Sequence, residues 1–318
     1  MISVWQELDH ASIFKAIEGT IGAKLNNILR HRNSYINRVY ELEHSGIKER
    51  LIAKFYRPGR WTKEMILEEH RFLNELNEKD IPAIAPLPYD NTTLHSLNNI
   101  YYALFPKIGG RAVDEFNQES WENIGRHLAR IHTIGSLHKD SLRITWRPAV
   151  ATKHHLDLLH KTEFILPDFR KSFNDTAEMF IKKADPLFNN VEMFLIHGDC
   201  HKGNLIHRPN EGIWIIDFDD ICVGPPVQDL WMLLPGKVDD HAEELGWFLK
   251  GYHTFREFDQ KTLKLIPALR GMRIIHFVSW LAVQSNDPHF HNHFPDTGTP
   301  RYWNETIKEL QNILYGEL

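Results

Sequence analysis

The eight residues "HGDCHKGN" at 197–204 place two histidines, an aspartate, a cysteine, a lysine and an asparagine in one short stretch. Two chemistries could use them. His197, Asp199 and His201 have H-x-D-x-H spacing, and imidazole and carboxylate are ordinary zinc ligands, so one reading is a metal-dependent hydrolase. Asp199 and Asn204 form a D-x-x-x-x-N pair, so the other is the catalytic loop of a phosphotransferase with the histidines as scaffold.

Phosphoryl transfer needs a basic group on the phosphates, a divalent metal on hard oxygen ligands, and a carboxylate that takes the acceptor's proton. Asp199 follows the apolar run "FLI", and Asp217 follows "IWII", so both emerge from the ends of buried strands. Asn204 adds an amide oxygen of the kind that suits magnesium. Lys54 stands inside the strand-like "LIAKFY", where an inward lysine needs a carboxylate partner. The helical stretch after it offers Glu68 and Glu69. The hydrolase reading leaves Lys54, Asn204 and Asp217 without a role.

The elements that must position these groups fall into two sets. Residues 24–31, 37–44 and 50–57 are short, β-forming and separated by turn-prone stretches. A helix over 62–78 follows, with Thr62 as its cap and Met65, Ile66, Phe72, Leu73 and Leu76 as its apolar stripe. Residues 98–111 give another strand that stops at Pro106 and the Gly109–Gly110 pair, which marks the lobe boundary. Helices over 120–135, 149–162 and 172–188 come next, then strands within 193–199, 204–208 and 212–220, then three or four further helices. The expectation is an α+β fold: a β-rich lobe over 1–106, a mainly helical lobe over 107–318, and the acidic motifs in the cleft between them.

Composition limits the alternatives. With 42% hydrophobic and 25% charged residues among 318, the chain reads as an ordinary globular protein. Its formal charge of −5 gives no basic face for nucleic acid. The first residues carry no long apolar run, and no segment approaches a spanning helix, so no membrane partner and a cytoplasmic, monomeric protein are expected. Two cysteines, Cys200 and Cys222, suggest reduced thiols.

The pair "HGDCHKGN" and "IIDFDD" resembles the H-G-D-x-H-x-x-N and I-D-F/W-x-D/E pattern of the aminoglycoside phosphotransferase and choline kinase group, a branch of the protein-kinase-like fold. The segments "KFYRPGRWTKEMILEEHRFLNEL", "NSYINRVY", "FPKIGGR" and "GPPVQDLWMLL" are similar to the bacterial stress response kinase A family of serine/threonine protein kinases, over nearly the whole chain. The resemblance implies ATP and Mg2+ as cofactors, with Asp199 as catalytic base, Asn204 and Asp217 as metal ligands, and Lys54 on the phosphates. It makes Asp217 part of the catalytic pair, Glu69 the helix partner of Lys54, and Ser34 a contact to ATP. Phe105 and Lys107 fall in the hinge, where main-chain groups would meet adenine. Asp229 would brace the catalytic loop. The acceptor implied is a protein serine or threonine, the chain's own included, in a stress response; a small alcohol is the alternative within the same fold.

Departures from the pattern carry information too. The loop "RHRNSYIN" lacks glycine and no G-x-x-x-x-G-K-[ST] occurs, so Asn33, Ser34 and backbone amides must cover the phosphates. The stretch from Asp217 runs directly through "FDDICVGPP", which leaves no room for a long activation loop. His201 reads equally as loop scaffold or active group, Asp219 as a loop hydrogen-bonder or a second metal contact, and Asp220 as solvent-facing or a local cap. Cys200 reads as an inert small residue, "HFHNHF" at 289–294 as a surface loop, and Trp231 and Trp280 as core.

Overall fold

The structure, a computed structural model, describes residues 5, 8–32, 34, 36–47, 49–113, 115–138, 140–234, 236, 238–287 and 290–318. In chain order the elements are α1 (His10–Ile21), β1 (Leu25–Arg32), β2 (Arg38–His44), β3 (Arg50–Phe55), α2 (Lys63–Glu78), β4 (His95–Leu97), β5 (Ile100–Pro106), β6 (Arg111–Ala112) and α3 (Gln118–Gly135). They continue with α4 (Lys153–His160), α5 (Pro167–Ala184), β7 (Phe194–Ile196), β8 (Leu205–Arg208), β9 (Gly212–Ile215), β10 (Cys222–Gly224), α6 (Val227–Trp231), α7 (Ala242–Tyr252), α8 (Ile266–Gln284), α9 (Phe290–His293) and α10 (Pro300–Asn312).

The first lobe is an antiparallel sheet in the order β1-β2-β3-β5-β4. Side chains on a strand alternate faces. On β3, Ala53 and Phe55 therefore go to the apolar cluster with Ile13, Ile17, Leu42 and Leu104, while Lys54 between them points to the opposite side. The sequence reading treated this lobe as strands from the start and did not anticipate α1. That helix exists because Asp9 caps it, accepting from Ser12 N at 2.9 Å, and because Ile13 and Ile17, one turn apart, are fully buried against the sheet. It ends at Gly22, at φ +65°.

Strand β4 was also unforeseen. Leu97 pairs with Ile100 across Asn98 and Asn99, both at positive φ, which is the two-residue turn that matches the twist of a hairpin. The single strand expected over 98–111 is β5 plus the separate β6, which joins β8 and β9 instead. The second lobe is mainly helical around a core that includes Leu128, Phe173, Phe180, Leu269 and Trp303. Helix α8, with the turn before it (Gln260–Gln284), is long and apolar enough to cross a membrane by length and composition, a feature the sequence reading did not register; more than half of it is buried inside this fold.

Candidate active site

The motif loops lie at the ends of short, buried strands. All three residues of β7 are buried, and the chain then turns at Gly198, whose φ is +82°. A Cβ there would sit 2.3 Å from the carbonyl oxygen of Asp220, so only glycine lets the two acidic loops approach. Asp229 at the start of α6 is fully buried and closes the turn: Oδ2 accepts from His197 N at 2.8 Å and Oδ1 from Gly198 N at 2.7 Å. His132 of α3 holds the same carboxylate through Nε2 at 3.0 Å and meets the Tyr252 hydroxyl through Nδ1 at 2.8 Å. Asp229 thus ties the loop to the helical core.

His197 is fully buried, with Nε2 donating to the Ile216 carbonyl at 3.0 Å and Nδ1 accepting from Asp199 N at 3.3 Å. Both ring nitrogens serve the backbone of the two loops. Among the described residues no three His, Cys, Asp or Glu side chains are arranged to hold a metal ion. His201 caps the short turn that follows, accepting from Gly203 N through Nδ1 at 3.0 Å, so Nε2 is the nitrogen that faces Asp199 Oδ2, at 3.5 Å. The other oxygen, Oδ1, takes Arg273 Nη1 of α8 at 2.7 Å. Burial works against the Asp199 charge, yet the His201 imidazole and the Arg273 guanidinium outweigh it and hold the carboxyl well below the usual range. Asp199 is ionised, as a base must be. Cys200 beside it is fully buried, and burial pushes its thiol up, away from reactive thiolate.

Asn204 is buried and its Nδ2 donates to the Asp199 carbonyl at 2.9 Å, which leaves the amide oxygen as the atom that could meet a cation. Its own carbonyl accepts from Ile216 N at 2.9 Å, joining the Asn204 loop to the one that carries Asp217. The strand expected through 212–220 stops at Ile215. Asp217 takes a left-handed φ of +63°, which turns its carboxyl into the cleft, and a short helical turn over Phe218–Asp220 follows.

Lys54 reaches this loop from β3. Its Nζ lies 2.8 Å from Asp219 Oδ1, 3.3 Å from Glu69 Oε1 and 3.8 Å from Asp217 Oδ1. Burial disfavours the ammonium, but Asp219 and Glu69 more than offset this and raise its pKa well above the ordinary lysine value. Glu68, the neighbour of Glu69 on α2, turns the other way and accepts from Leu142 N at 3.1 Å.

Asp219 and Asp220 depart from their expected minor roles. Asp219 is buried and takes Lys54, Arg60 Nη1 at 2.7 Å and Asn37 Nδ2 at 2.8 Å. Despite burial, Lys54 and Arg60 hold its carboxyl well below the usual range. Asp220 pairs with Arg60 Nη2 at 2.5 Å. Arg143, buried as well, donates to the Asp219 carbonyl at 2.8 Å and to the Met65 carbonyl at 3.0 Å, and lies 3.5 Å from Glu69 Oε2. The sequence reading missed Asn37, Arg60, Arg143 and Arg273. Their only sequence signal is a charged residue in an apolar setting, as for Arg273 in "GMRIIHF".

These groups open on one cavity of ≈ 560 Å³ between the lobes, lined by Ser34, Lys54, Glu69, Asp199 and Asp217 and, at the strand end, by Phe105 to Ile108. That volume is in the range of a nucleotide-sized site. Asn33 lies outside the described residues. Lys107 N donates to Arg50 O at 3.1 Å and Tyr56 N to Tyr101 O at 2.9 Å, so by antiparallel alternation Phe105 sits in a pair that exchanges both its hydrogen bonds with Ile52. Their main-chain N–H groups are spent on β3. Pro106 C=O and Ile108 N–H are the neighbouring main-chain groups.

The donor set fits a divalent cation. Lys54, Arg60 and Arg143 face four carboxylates, Glu69, Asp217, Asp219 and Asp220; burial raises the pKa of Glu69 to about 7, and Asp217 is the carboxylate left open to the cavity. The Asp217 side chain is 56% exposed, but it opens on the cavity rather than on bulk solvent. Desolvation by the cavity walls, with Asp219 and Asp220 beside it, raises its pKa, and a nearby cation would relieve that. Magnesium usually takes one or two protein oxygens and completes its shell with water and phosphate. Asp217 and Asn204 match that pattern.

A β-lobe lysine paired with a helix glutamate, above a helical lobe that presents an aspartate–asparagine loop and a second aspartate, defines a phosphotransferase of the kinase-like fold. The chain matches the family described as "Phosphotransferase enzyme family" over residues 27–266, belongs to it, and is a kinase. It is 35% identical over 297 residues to stress response kinase A of Escherichia coli strain K12, covering 89% of this chain and 85% of that one. It is 33% identical over 308 residues to the serine/threonine protein kinase RdoA of Salmonella typhimurium, covering 92% and 90%. Among solved structures, amicoumacin kinase hAmiN in complex with AMP-PNP, Ca2+ and Ami has the same fold, with a TM-score of 0.77 at 19% identity over 98% of this chain and 95% of that one.

Proposed function

We propose that the chain transfers the γ-phosphate of ATP, with Mg2+, to the hydroxyl of a protein serine or threonine, its own included, as a cytoplasmic, monomeric enzyme of a stress response. The observation that carries this reading is the convergence of Lys54, Asp217 and an ionised Asp199 on one cavity between a lobe ending near residue 106 and a lobe beginning at 107. The protein acceptor is supported by the names of the relatives.

In this reading Pro106 C=O and Ile108 N–H receive the adenine edge, and Ser34 lies over the phosphates. Lys54, aimed by Glu69 and Asp219, contacts phosphate oxygens as a fixed point charge. Asp217 and the Asn204 amide oxygen hold Mg2+. The chemistry Mg2+ supplies when bound is neutralisation of phosphate charge as it develops. Asp199 Oδ2 accepts the proton of the acceptor hydroxyl as its oxygen bonds to phosphorus and the bond from phosphorus to ADP breaks.

The test is ADP release by the purified chain with ATP and Mg2+, in the presence of a serine/threonine peptide or of a small alcohol such as choline or homoserine. Phosphate found on a peptide or on the chain itself supports the protein-kinase reading. Phosphate only on a small alcohol replaces it with the small-molecule one, and no ATP turnover in any mixture refutes both.

A further inference from the structure

Arg273 has no part in the steps above, yet it touches the residue that performs the central one. Its Nη1 lies 2.7 Å from Asp199 Oδ1, on the side of the carboxylate away from His201. A guanidinium carries five N–H donors in a planar fork. Among the described residues Asp199 is its hydrogen-bonded partner, and a third of the Arg273 side chain is exposed, so donors remain for a ligand.

One turn further along α8, His276 packs against His155, with ring centres 4.6 Å apart, and against Trp146, at 5.4 Å. Trp146 and His155 are themselves 6.0 Å apart. Trp146 is only 7% exposed. In this cluster Trp146 Nε1, His155 Nε2 and His276 Nδ1 are all buried without a hydrogen-bond partner in the chain. Each such orphan costs about 1–3 kcal/mol, and native proteins keep few of them. Three in one cluster, beside the catalytic aspartate, point to a polar ligand. Burial lowers the pKa of both imidazoles and keeps them neutral, with the Arg273 guanidinium also disfavouring charge on His276.

The sign of that ligand follows from the walls. Helix α8 carries Arg273 and His276 and no carboxylate, and its Arg270 is closed on Glu317 at 3.2 Å. On α4, packed against it, the one carboxylate is Asp157, which is closed on Lys153. Arg147, next to Trp146, is closed on Asp185 at 2.6 Å. Asp199 is already paired with Arg273, so a cationic acceptor would meet a guanidinium here with no free carboxylate on α8 or α4 to balance it, and such a mismatch is a strong selector. A carboxylate would meet a charge-assisted fork.

We propose that Arg273, with Trp146, His155 and His276, forms the acceptor subsite, and that it selects a hydroxyl neighboured by a carboxylate. Both an acidic serine/threonine peptide and a small hydroxy acid carry that chemistry. The inference rests on the phosphotransferase reading of Asp199 and narrows its acceptor. The carboxylate binds the free part of the Arg273 fork and the indole N–H, which places the neighbouring hydroxyl at Asp199.

The experiment measures ADP release by the full chain with ATP and Mg2+ on two matched pairs: a serine peptide flanked by glutamates against the same peptide flanked by lysines, and glycerate against choline. The anionic member of a pair should show at least tenfold higher kcat/KM; the peptide pair identifies a protein acceptor, the glycerate pair a small one. Arg273→Glu should erase or invert the ratio, and Arg273→Lys should keep part of it. Trp146→Phe should raise KM for the favoured acceptor more than it lowers kcat. Equal use of both members, preference for the cation, or a ratio that survives Arg273→Glu overturns the proposal, as does ATP binding with turnover of neither pair. Loss of nucleotide binding and of all ATP turnover in the wild-type chain would instead refute the kinase reading beneath it.

Discussion

The amine of Lys54 lies closer to Asp219 than to Glu69, at 2.8 Å against 3.3 Å. Asp219 also holds Arg60 and Asn37, so one carboxylate joins β3, the segment before α2 and the metal loop. Removing it takes the nearest carboxylate from Lys54, leaving Glu69, and one of two from Arg60, leaving Asp220, and unpairs the Asn37 amide. Asp219→Ala should therefore destabilise the protein by about 3–5 kcal/mol, the usual result of breaking a buried ion pair from one side. Denaturant unfolding checks this, and a loss under about 1 kcal/mol would show that the hub is not structural.

Lys54→Ala should weaken ATP binding and lower turnover together, because in the proposed mechanism its amine, fixed at the cavity wall, is the phosphate contact. Glu69→Ala should give the same defect in milder form, since Asp219 still aims the amine. The ratio of the two kcat/KM losses is the measurement, and an equal or larger loss in Glu69→Ala would reverse the order of importance read from the distances.

Asp217→Ala should reduce ATP turnover to less than about a hundredth while leaving the melting temperature nearly unchanged, because its carboxyl faces the cavity and has no packing role. Turnover at even a tenth of wild type, with Mg2+ saturating, would move the metal elsewhere.

The motif loops were legible because Asp199 and Asp217 follow apolar runs at short range, where strand ends can be read, and Asn204 stands five residues after Asp199. The partners of those residues were not. Arg60 meets Asp219 across 159 positions and Arg143 meets it across 76, and local periodicity holds no trace of such pairings. Which main-chain groups from Phe105 to Ile108 are left unpaired was not legible, because strand register, not composition, decides which N–H groups bond to β3. Helix α1 and the Asn98–Asn99 hairpin were legible in principle, the first from Asp9 as a cap with Ile13 and Ile17 one turn apart, the second from two adjacent asparagines suited to positive φ.

Buried neutral histidines set the acid limit of stability. Burial lowers His127 and His155 to about 4 and His70 to about 3. The unfolded chain binds protons near pH 6.5, well before these folded groups do, so stability is complete above about 6.5 and falls as pH drops toward 4. Each group contributes on the order of 1–3 kcal/mol to that fall. His127→Leu should flatten the profile of unfolding free energy between pH 6.5 and 4, and an unchanged slope would show that this ring is charged inside the fold.

Asp199 and His197 stand two residues apart and should fail in different ways. In the proposed mechanism Asp199 Oδ2 meets the acceptor hydroxyl, on the far side of the transferring phosphate from an adenine edge at Pro106 and Ile108. Asp199→Asn keeps the shape and the hydrogen bond to Arg273 but cannot take a proton, so turnover should fall by about 10²–10⁴ while ATP affinity stays within about twofold. His197 makes no approach to the cavity; its two nitrogens hold Ile216 O and Asp199 N. His197→Ala leaves those buried backbone groups unpaired and opens a void beside Phe218, whose ring packs on the imidazole at 4.6 Å. It should lower stability by about 2–4 kcal/mol with partial activity retained at low temperature. Calorimetric ATP titration, a turnover assay and a melting curve on both variants separate the outcomes. A stable, inactive His197→Ala would give the imidazole a chemical role, and stoichiometric zinc in the wild-type protein, lost from variants at 197, 199 and 201 alike, would return the loop to the hydrolase reading.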